Sequence, residues 1–191
     1  MIGGRIRAVA IGASAGAVEA LLQILPSLAA DFPVPILVVV HVPPDRSNAL
    51  VPLLQAKCQI KVKEAEDKEP THPGVVYFAP ADYHLLVEND GSLSLSSDEP
   101  VNYSRPSIDV LFESAADAFA PALTAVVLTG ANEDGARGLK AVMDLGGDGV
   151  VEDPAGAYAQ AMPAAALGAC PSARSMNLDS IAHYLQSLEA A

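Results

Sequence analysis

Basic side chains are scarce in this chain: 11 Lys and Arg stand against 23 Asp and Glu, a formal net charge of −12. So acidic a surface repels phosphate backbones and anionic lipid, which argues against a nucleic-acid partner. Its simplest use is solubility. Long apolar runs are missing too. Hydrophobic residues make up 51% of the chain, yet no stretch reaches the roughly 18 consecutive apolar residues that a membrane helix requires. No charged-then-apolar signal segment opens the sequence, because Arg5 and Arg7 lie inside the first strand pattern. A cytoplasmic protein without membrane insertion is expected. Cysteine is limited to Cys58 and Cys170, which show neither metal-ligand spacing nor a disulfide framework and read as structural thiols. His72, His84 and His183 also lack mutual ligand spacing, so no metal and no cofactor is expected. Without internal repeats or a long linker, 191 residues suit one α/β domain, taken over 1–191.

What is present is organised around the stretch from Arg5 to Glu19. Ile6, Ala8, Val9, Ala10 and Ile11 form a nearly unbroken apolar run, the pattern of a strand buried on both faces of a parallel sheet. Gly12-Ala13-Ser14-Ala15-Gly16 then permits a sharp turn, and Val18, Leu21, Leu22 and Leu25 recur at helical spacing behind it. Ser14 thus sits at a strand-to-helix elbow, where a hydroxyl projects above the sheet edge and helix N–H groups can stabilise a developing negative charge. The bland reading of such a turn is phosphate binding or simple chain reversal.

Downstream, strands and helices alternate. The first helix pattern runs to about Leu28, and Ile36 to Val40 is a β-branched buried strand that delivers His41 just before Val42-Pro43-Pro44. A short helix through Ala49, Leu50, Leu53 and Leu54 has Ser47 as candidate N-cap. Ile60 to Lys63 alternates as a weak strand before the charged segment Glu64 to Glu69, and Val75 to Ala79 reads as another strand. His84 to Val87 and Ser92 to Leu95 flank Asn89-Asp90-Gly91 as a hairpin. A helix through Ile108, Leu111, Phe112, Ala115 and Phe119 carries Ser107 as a plausible cap, and Leu123 to Leu128 is a further buried strand. Asp134 lies in the loop before a helix bearing Leu139, Val142, Met143 and Leu145, where an N-terminal cap is its ordinary role. Val150 to Glu152, an Ala-rich helix after Pro163 and an amphipathic helix over Leu178 to Leu188 with exposed His183 complete the pattern.

Alternation of this kind implies a doubly wound, mostly parallel sheet flanked by helices, with one small antiparallel hairpin. Every strand's C-terminal end then falls along one edge, where ligands bind. Ser14, His41 and Asp134 each follow a different buried strand, so the fold itself would gather a nucleophile, an imidazole base and an orienting carboxylate, the set required for acyl transfer. Backbone N–H groups of Ala15 and of Ala131, in the Gly130–Asn132 loop, are the candidate oxyanion donors. The order Ser, His, Asp differs from that of α/β-hydrolases. Gly12, Ser14 and Ala17 stand where a dinucleotide fingerprint needs three glycines.

These residues resemble the catalytic domain of the chemotaxis protein-glutamate methylesterases (CheB). The resemblance spans Ile11-Gly12-Ala13-Ser14, His41-Val42-Pro43-Pro44, Val76-Tyr77-Phe78-Ala79-Pro80 with His84-Leu85, Arg105-Pro106-Ser107-Ile108-Asp109-Val110-Leu111-Phe112, and Leu128-Thr129-Gly130 through Asp134-Gly135-Ala136. It implies a serine hydrolase that removes methyl esters from glutamyl side chains on the cytoplasmic helices of methylated chemoreceptors, with deamidation of receptor glutamines as a related activity. Ser14, His41 and Asp134 match its triad by position. Ala15 and Ala17 replace the threonine and final glycine usual at the elbow, and Ala131-Asn132-Glu133 replaces the usual Met-Gly-Asn. Glu133 adds a negative charge beside Asp134, which is expected to raise the pKa of either carboxylate or of His41. Family members commonly carry an N-terminal receiver domain that covers the site; none fits before the first strand here, so open access is expected. Two other readings stay open, an esterase for another small or protein ester and a catalytically silent receptor-binding module, and so does the oligomeric state.

Overall fold

The structure, a computed structural model, describes residues 6–41 and 49–189. Ser47 and the Val42-Pro43-Pro44 segment lie outside the described residues. The unbroken apolar runs form the centre of the sheet. They are β1 (Ala8–Ala13), β2 (Ile36–Val40) and β7 (Leu123–Val127), and every residue in them is buried. The other strands in chain order are β3 (Lys61–Glu64), β4 (Val75–Phe78), β5 (His84–Val87), β6 (Leu93–Ser96), β8 (Asp148–Glu152) and β9 (Arg174–Met176). The helices are α1 (Ala17–Ile24), α2 (Leu50–Lys57), α3 (Ile108–Phe119), α4 (Ala136–Asp144), α5 (Ala161–Ala169) and α6 (Leu178–Gln186).

Seven strands pair in the order β3-β4-β2-β1-β7-β8-β9, and every pairing is parallel. The expected mostly parallel sheet is thus wholly parallel, and the antiparallel strands β5 and β6 form the separate hairpin. The chain moves from β1 to β2, on to the edge strand β3, and back to insert β4 between β3 and β2, then crosses past β1 to lay down β7, β8 and β9 on the other side. That reversal opens a crevice at the C-terminal ends of the central strands.

Because side chains alternate along a strand, a doubly covered strand feeds two cores. Val9, Ile11 and Ala13 of β1 pack with Ala17, Leu21 and Ile24 of α1, with Leu54 of α2 and with Ile181 and Leu185 of α6. Ala8 and Ala10 face the opposite layer, which holds Ile108, Leu111 and Phe112 of α3, Leu139 and Val142 of α4, Met162 and Ala166 of α5, and Leu85 and Val87 of the hairpin. A Cβ at Gly12, the next position on that face, would collide with the Ile108 side chain. Glycine there lets the N-terminal end of α3 come against β1, which matters at the site below.

Element boundaries differ from the sequence reading for local reasons. The first strand continues through Gly12 and Ala13, because parallel pairing to β2 and β7 runs that far. The first helix stops at Ile24 and tightens into a 3-10 turn over Leu25–Ser27, where Pro26 has no N–H with which to extend the α-helical ladder. α5 starts at Ala161, with Pro163 inside its first turn, where a missing N–H costs nothing.

Candidate active site

Strand register brings the first two candidate residues together. Ala13 of β1 lies opposite Val40 of β2, so the next residue on each strand is Ser14 and His41. The His41 N–H extends the ladder to Ala13 O at 3.2 Å, and the Ser14 N–H donates to Thr129 O, just past β7, at 2.9 Å. Ser14 is therefore pinned in the crevice between β2 and β7. The elbow behind it closes with the Ala17 N–H donating to Ser14 O at 3.0 Å. Gly16, at the N-cap of α1, has φ +84°, and a Cβ there would lie 2.7 Å from Tyr158 Cβ. Glycine supplies both the left-handed turn and room for the Tyr158 side chain, which stands over the elbow with 84% of its surface exposed.

Asp134 is fully buried, and it does not cap the helix that follows it. Gly135 holds the N-cap position of α4. The carboxylate instead reaches across to the N-terminal end of α3, where Oδ2 accepts from the Ile108 N–H at 2.6 Å and Oδ1 from the Asp109 N–H at 3.1 Å. Unpaired N–H groups and the positive end of the helix dipole make that a favourable seat for an anion. Oδ1 also accepts from Ser107 Oγ at 2.9 Å and Asn102 Nδ2 at 2.8 Å. Ser107 does occupy the N-cap position of α3, but its hydroxyl donates to Asp134 instead of accepting from its own helix. Asp134 does the capping in its place.

The remaining partner of Asp134 is His41, whose Nε2 lies 2.8 Å from Oδ2. Burial opposes ionisation of Asp134, but the His41 bond and the donors from Ile108, Asn102 and Asp109 outweigh it and hold the carboxyl below its usual range. The expectation that Glu133 would raise its neighbours fails at Asp134, since direct donors act at contact while Glu133 is exposed to solvent. An ionised carboxylate only accepts, so His41 Nε2 carries the hydrogen and Nδ1 is the basic nitrogen. The Asn132 carboxamide meets that nitrogen, its Nδ2 lying 3.3 Å from Nδ1.

A second buried carboxylate lies behind the first. Asp109 accepts from the Gly138 N–H at 2.6 Å, the Gly135 N–H at 3.0 Å and Asn102 Nδ2 at 2.8 Å. Burial pushes its carboxyl up despite these donors. It joins the N-terminal ends of α3 and α4, and through Asn102, itself in the left-handed conformation at φ 52°, it steadies the loop that serves Asp134. Glu152, at the end of β8, is also buried; it accepts the Thr129 N–H at 2.8 Å, and desolvation raises its carboxyl. The Thr129 hydroxyl donates to Ala15 O and accepts the Ala159 N–H, both at 2.8 Å, which ties the elbow to the strand that ends beside it.

Gly130 spends its N–H on Ala159 O at 3.1 Å. Among the described residues, the N–H groups of Ala15 and Ala131 meet no acceptor, as an oxyanion hole requires. A cleft of about 500 Å³ adjoins this loop, lined by Asn102, Tyr103, Asn132, Glu133, Ala161 and Ala165. Among the described residues, no group of three or more His, Cys, Asp and Glu side chains is placed to hold a metal ion, and no helix is long and apolar enough to cross a membrane.

Sequence reasoning named Ser14, His41 and Asp134 but missed Asn102, Asp109, Asn132 and Glu152. Only Asn132 carried a readable signal: its Oδ1 accepts the Asp134 N–H at 3.0 Å, the two-residue Asx-turn spacing. The others reach the site through tertiary packing.

A doubly wound parallel sheet with a serine, an imidazole and a buried carboxylate at its C-terminal edge defines an α/β domain of the hydrolase type. Comparison with known proteins narrows this. Residues 9–185 match the CheB methylesterase family, and the chain belongs to it. A putative protein-glutamate methylesterase/protein-glutamine glutaminase of Leptospira interrogans is 44% identical over 95% of this chain and 94% of its own. Protein-glutamate methylesterase/protein-glutamine glutaminase 2 of Caulobacter vibrioides is 37% identical over 96% of this chain, which spans only 54% of that relative. The crystal structure of the Thermotoga maritima CheB methylesterase catalytic domain superposes with a TM-score of 0.90 at 33% identity, covering 96% of this chain and 98% of that one.

Proposed function

We propose that this protein, read as one catalytic domain over residues 1–191, is a serine hydrolase that removes methyl esters from glutamyl side chains of chemoreceptors, with glutamine deamidation as a related activity. The observation that carries this reading is the His41–Asp134 pair at 2.8 Å, set one residue beyond the strand pairing that puts Ser14 beside His41. Ser14 Oγ attacks the ester carbonyl while His41 Nδ1 takes its proton. The carbonyl oxygen becomes an oxyanion facing the N–H groups of Ala15 and Ala131. As the tetrahedral centre collapses, the acyl–methoxy bond breaks and the proton on Nδ1 passes to the methoxy oxygen, which releases methanol. Water then attacks the acyl-serine, giving its proton to the same nitrogen, and Ser14 Oγ leaves with that proton as the glutamyl carboxylate forms. Asp134 keeps Nε2 protonated and balances the imidazolium charge in both halves. The glutaminase reaction follows the same course with ammonia as the leaving group.

The test is methanol release from receptor carrying labelled methyl-glutamyl groups. Wild type releases methanol, and Ser14→Ala lowers turnover by about 10⁴-fold or more. Equal release by the two proteins would sink the proposal. Turnover of short-chain aryl esters without activity on methylated receptor would transfer it to another ester.

A further inference from the structure

Asn132 makes two hydrogen bonds that together settle its orientation. Its Oδ1 accepts the Asp134 N–H at 3.0 Å, which only the oxygen of a carboxamide can do, so the atom 3.3 Å from His41 Nδ1 is the NH₂ group. Nε2 of the same ring faces a carboxylate at 2.8 Å, so Nδ1 is bare and has a single in-plane lone pair to offer. Asn132 takes it. Among the described residues, no hydrogen bond joins Ser14 Oγ to the His41 ring, although register places the two residues side by side.

We infer that Asn132 is a positioning residue that latches the resting site, holding the acceptor nitrogen of His41 until the base is needed by Ser14. The inference rests on the esterase reading of Ser14 and His41. Asn132 is only half-buried and lines the 500 Å³ cleft, so a substrate acyl group seated there displaces the carboxamide and frees Nδ1 for the Ser14 hydroxyl. The latch holds the ring between two partners, Asp134 and Asn132, at the cost of a competing donor on the base.

The experiment compares wild type with Asn132→Ser and Asn132→Ala, using a fluorophosphonate and nitrogen NMR of the free proteins. In the fluorophosphonate reaction Ser14 Oγ bonds to phosphorus, fluoride leaves and Nδ1 takes the hydroxyl proton. Serine at 132 can still accept the Asp134 N–H but is too short to reach Nδ1, so it separates the latch from the turn. Loss of one hydrogen bond to the base accelerates phosphonylation about three- to tenfold in both variants. The Nδ1 resonance moves toward that of an unbonded imidazole nitrogen, while the His84 ring, held by the Ser107 N–H and Glu99 O, stays put as a folding control. Unchanged or slower phosphonylation of both variants overturns the latch, as does an unmoved Nδ1 resonance. A wild type and variants that all resist the phosphonate overturn the esterase reading and the latch with it. Labelling that disappears in Ser14→Ala shows that reading intact, so the latch then stands or falls on the rate ratio and the Nδ1 resonance.

Discussion

Replacing Asp134 by Asn tests the centre of the site, because its effects on rate and stability are both set by geometry. Five donors converge on this fully buried carboxylate: His41 Nε2 and the Ile108 N–H on one oxygen, and Asn102, Ser107 and the Asp109 N–H on the other. A carboxamide has one oxygen. If it keeps the three-donor side, its NH₂ points at His41 and at the Ile108 N–H. The Ile108 N–H is then stranded, and the ring turns to the tautomer with hydrogen on Nδ1, which cannot take a proton from Ser14. If it flips, three donors are stranded instead. Loss of the base tautomer costs turnover about 10⁴-fold. Breaking a buried charged pair by removing one partner's charge costs about 3–5 kcal/mol, so unfolding free energy falls by about that much. For a chain of this size that lowers the melting temperature by roughly 6–20 °C. His41→Ala removes the base but leaves four donors on Asp134, so it matches the rate loss with a far smaller stability loss.

The pH dependence carries the same signature. Asp134 is held low in the fold, so the folded protein binds fewer protons there than the unfolded chain. Its stabilisation is complete above the unfolded carboxyl pKa of about 3.9 and is lost as pH falls through the depressed folded value. The stability gap between wild type and Asp134→Asn therefore closes only below about pH 4. Urea unfolding of both proteins from pH 3 to 8, with turnover measured alongside, checks all three quantities. An Asp134→Asn protein that melts with the wild type, or turns over within tenfold of it, rules out this role for the Asp134 carboxylate.

Two further substitutions probe the supports of the elbow. Glu152→Gln keeps an oxygen for the Thr129 N–H but cannot ionise. Because burial raises the Glu152 carboxyl in the fold, wild-type stability falls as pH rises from the unfolded to the raised folded pKa. The glutamine variant melts higher at pH 7, by about 2–4 °C for each ~1 kcal/mol relieved, and its advantage vanishes in acid; an equal advantage at pH 3 counts against this account. Gly16→Ala incurs the left-handed backbone cost of about 1–2 kcal/mol and also pushes on Tyr158, whose Cβ would lie 2.7 Å away. Combining it with Tyr158→Ala, which removes the ring atoms at 3.0 Å but keeps Cβ, recovers at most the part of the loss due to the ring, since the Cβ contact and the backbone part remain; full recovery in the double variant, read by thermal unfolding, contradicts the strained φ.

Local patterns in the chain were enough for most of the fold. Short β-branched runs apolar at every position, such as Ile36–Val40, fit strands covered on both sides, and strands so covered alternate with helices in a parallel sheet. The hairpin around Asp90-Gly91 and the buried face of α3 were equally readable, because turn chemistry and helical spacing are properties of neighbours in sequence. β9 was not readable. Arg174-Ser175-Met176 is a short edge strand with exposed charge and no apolar alternation, and only pairing with Val150–Glu152 makes it a strand. The identities of Ser14, His41 and Asp134 as one cluster followed from each standing just past a buried strand.

How those residues are held was decided by tertiary structure alone. Asp134 looked like the cap of its own helix, and the sheet instead carries it to the N-terminal end of α3, whose approach to β1 depends on the missing side chain at Gly12. Asn102, Asp109 and Glu152 enter from other elements. Burial patterns are local, so the residue types standing at the strand ends could be read directly from the chain. Which nitrogen of His41 carries the hydrogen, and which neighbours keep Asp134 charged, had to wait for three-dimensional packing, because those facts depend on donors that are distant in sequence and adjacent only in the fold.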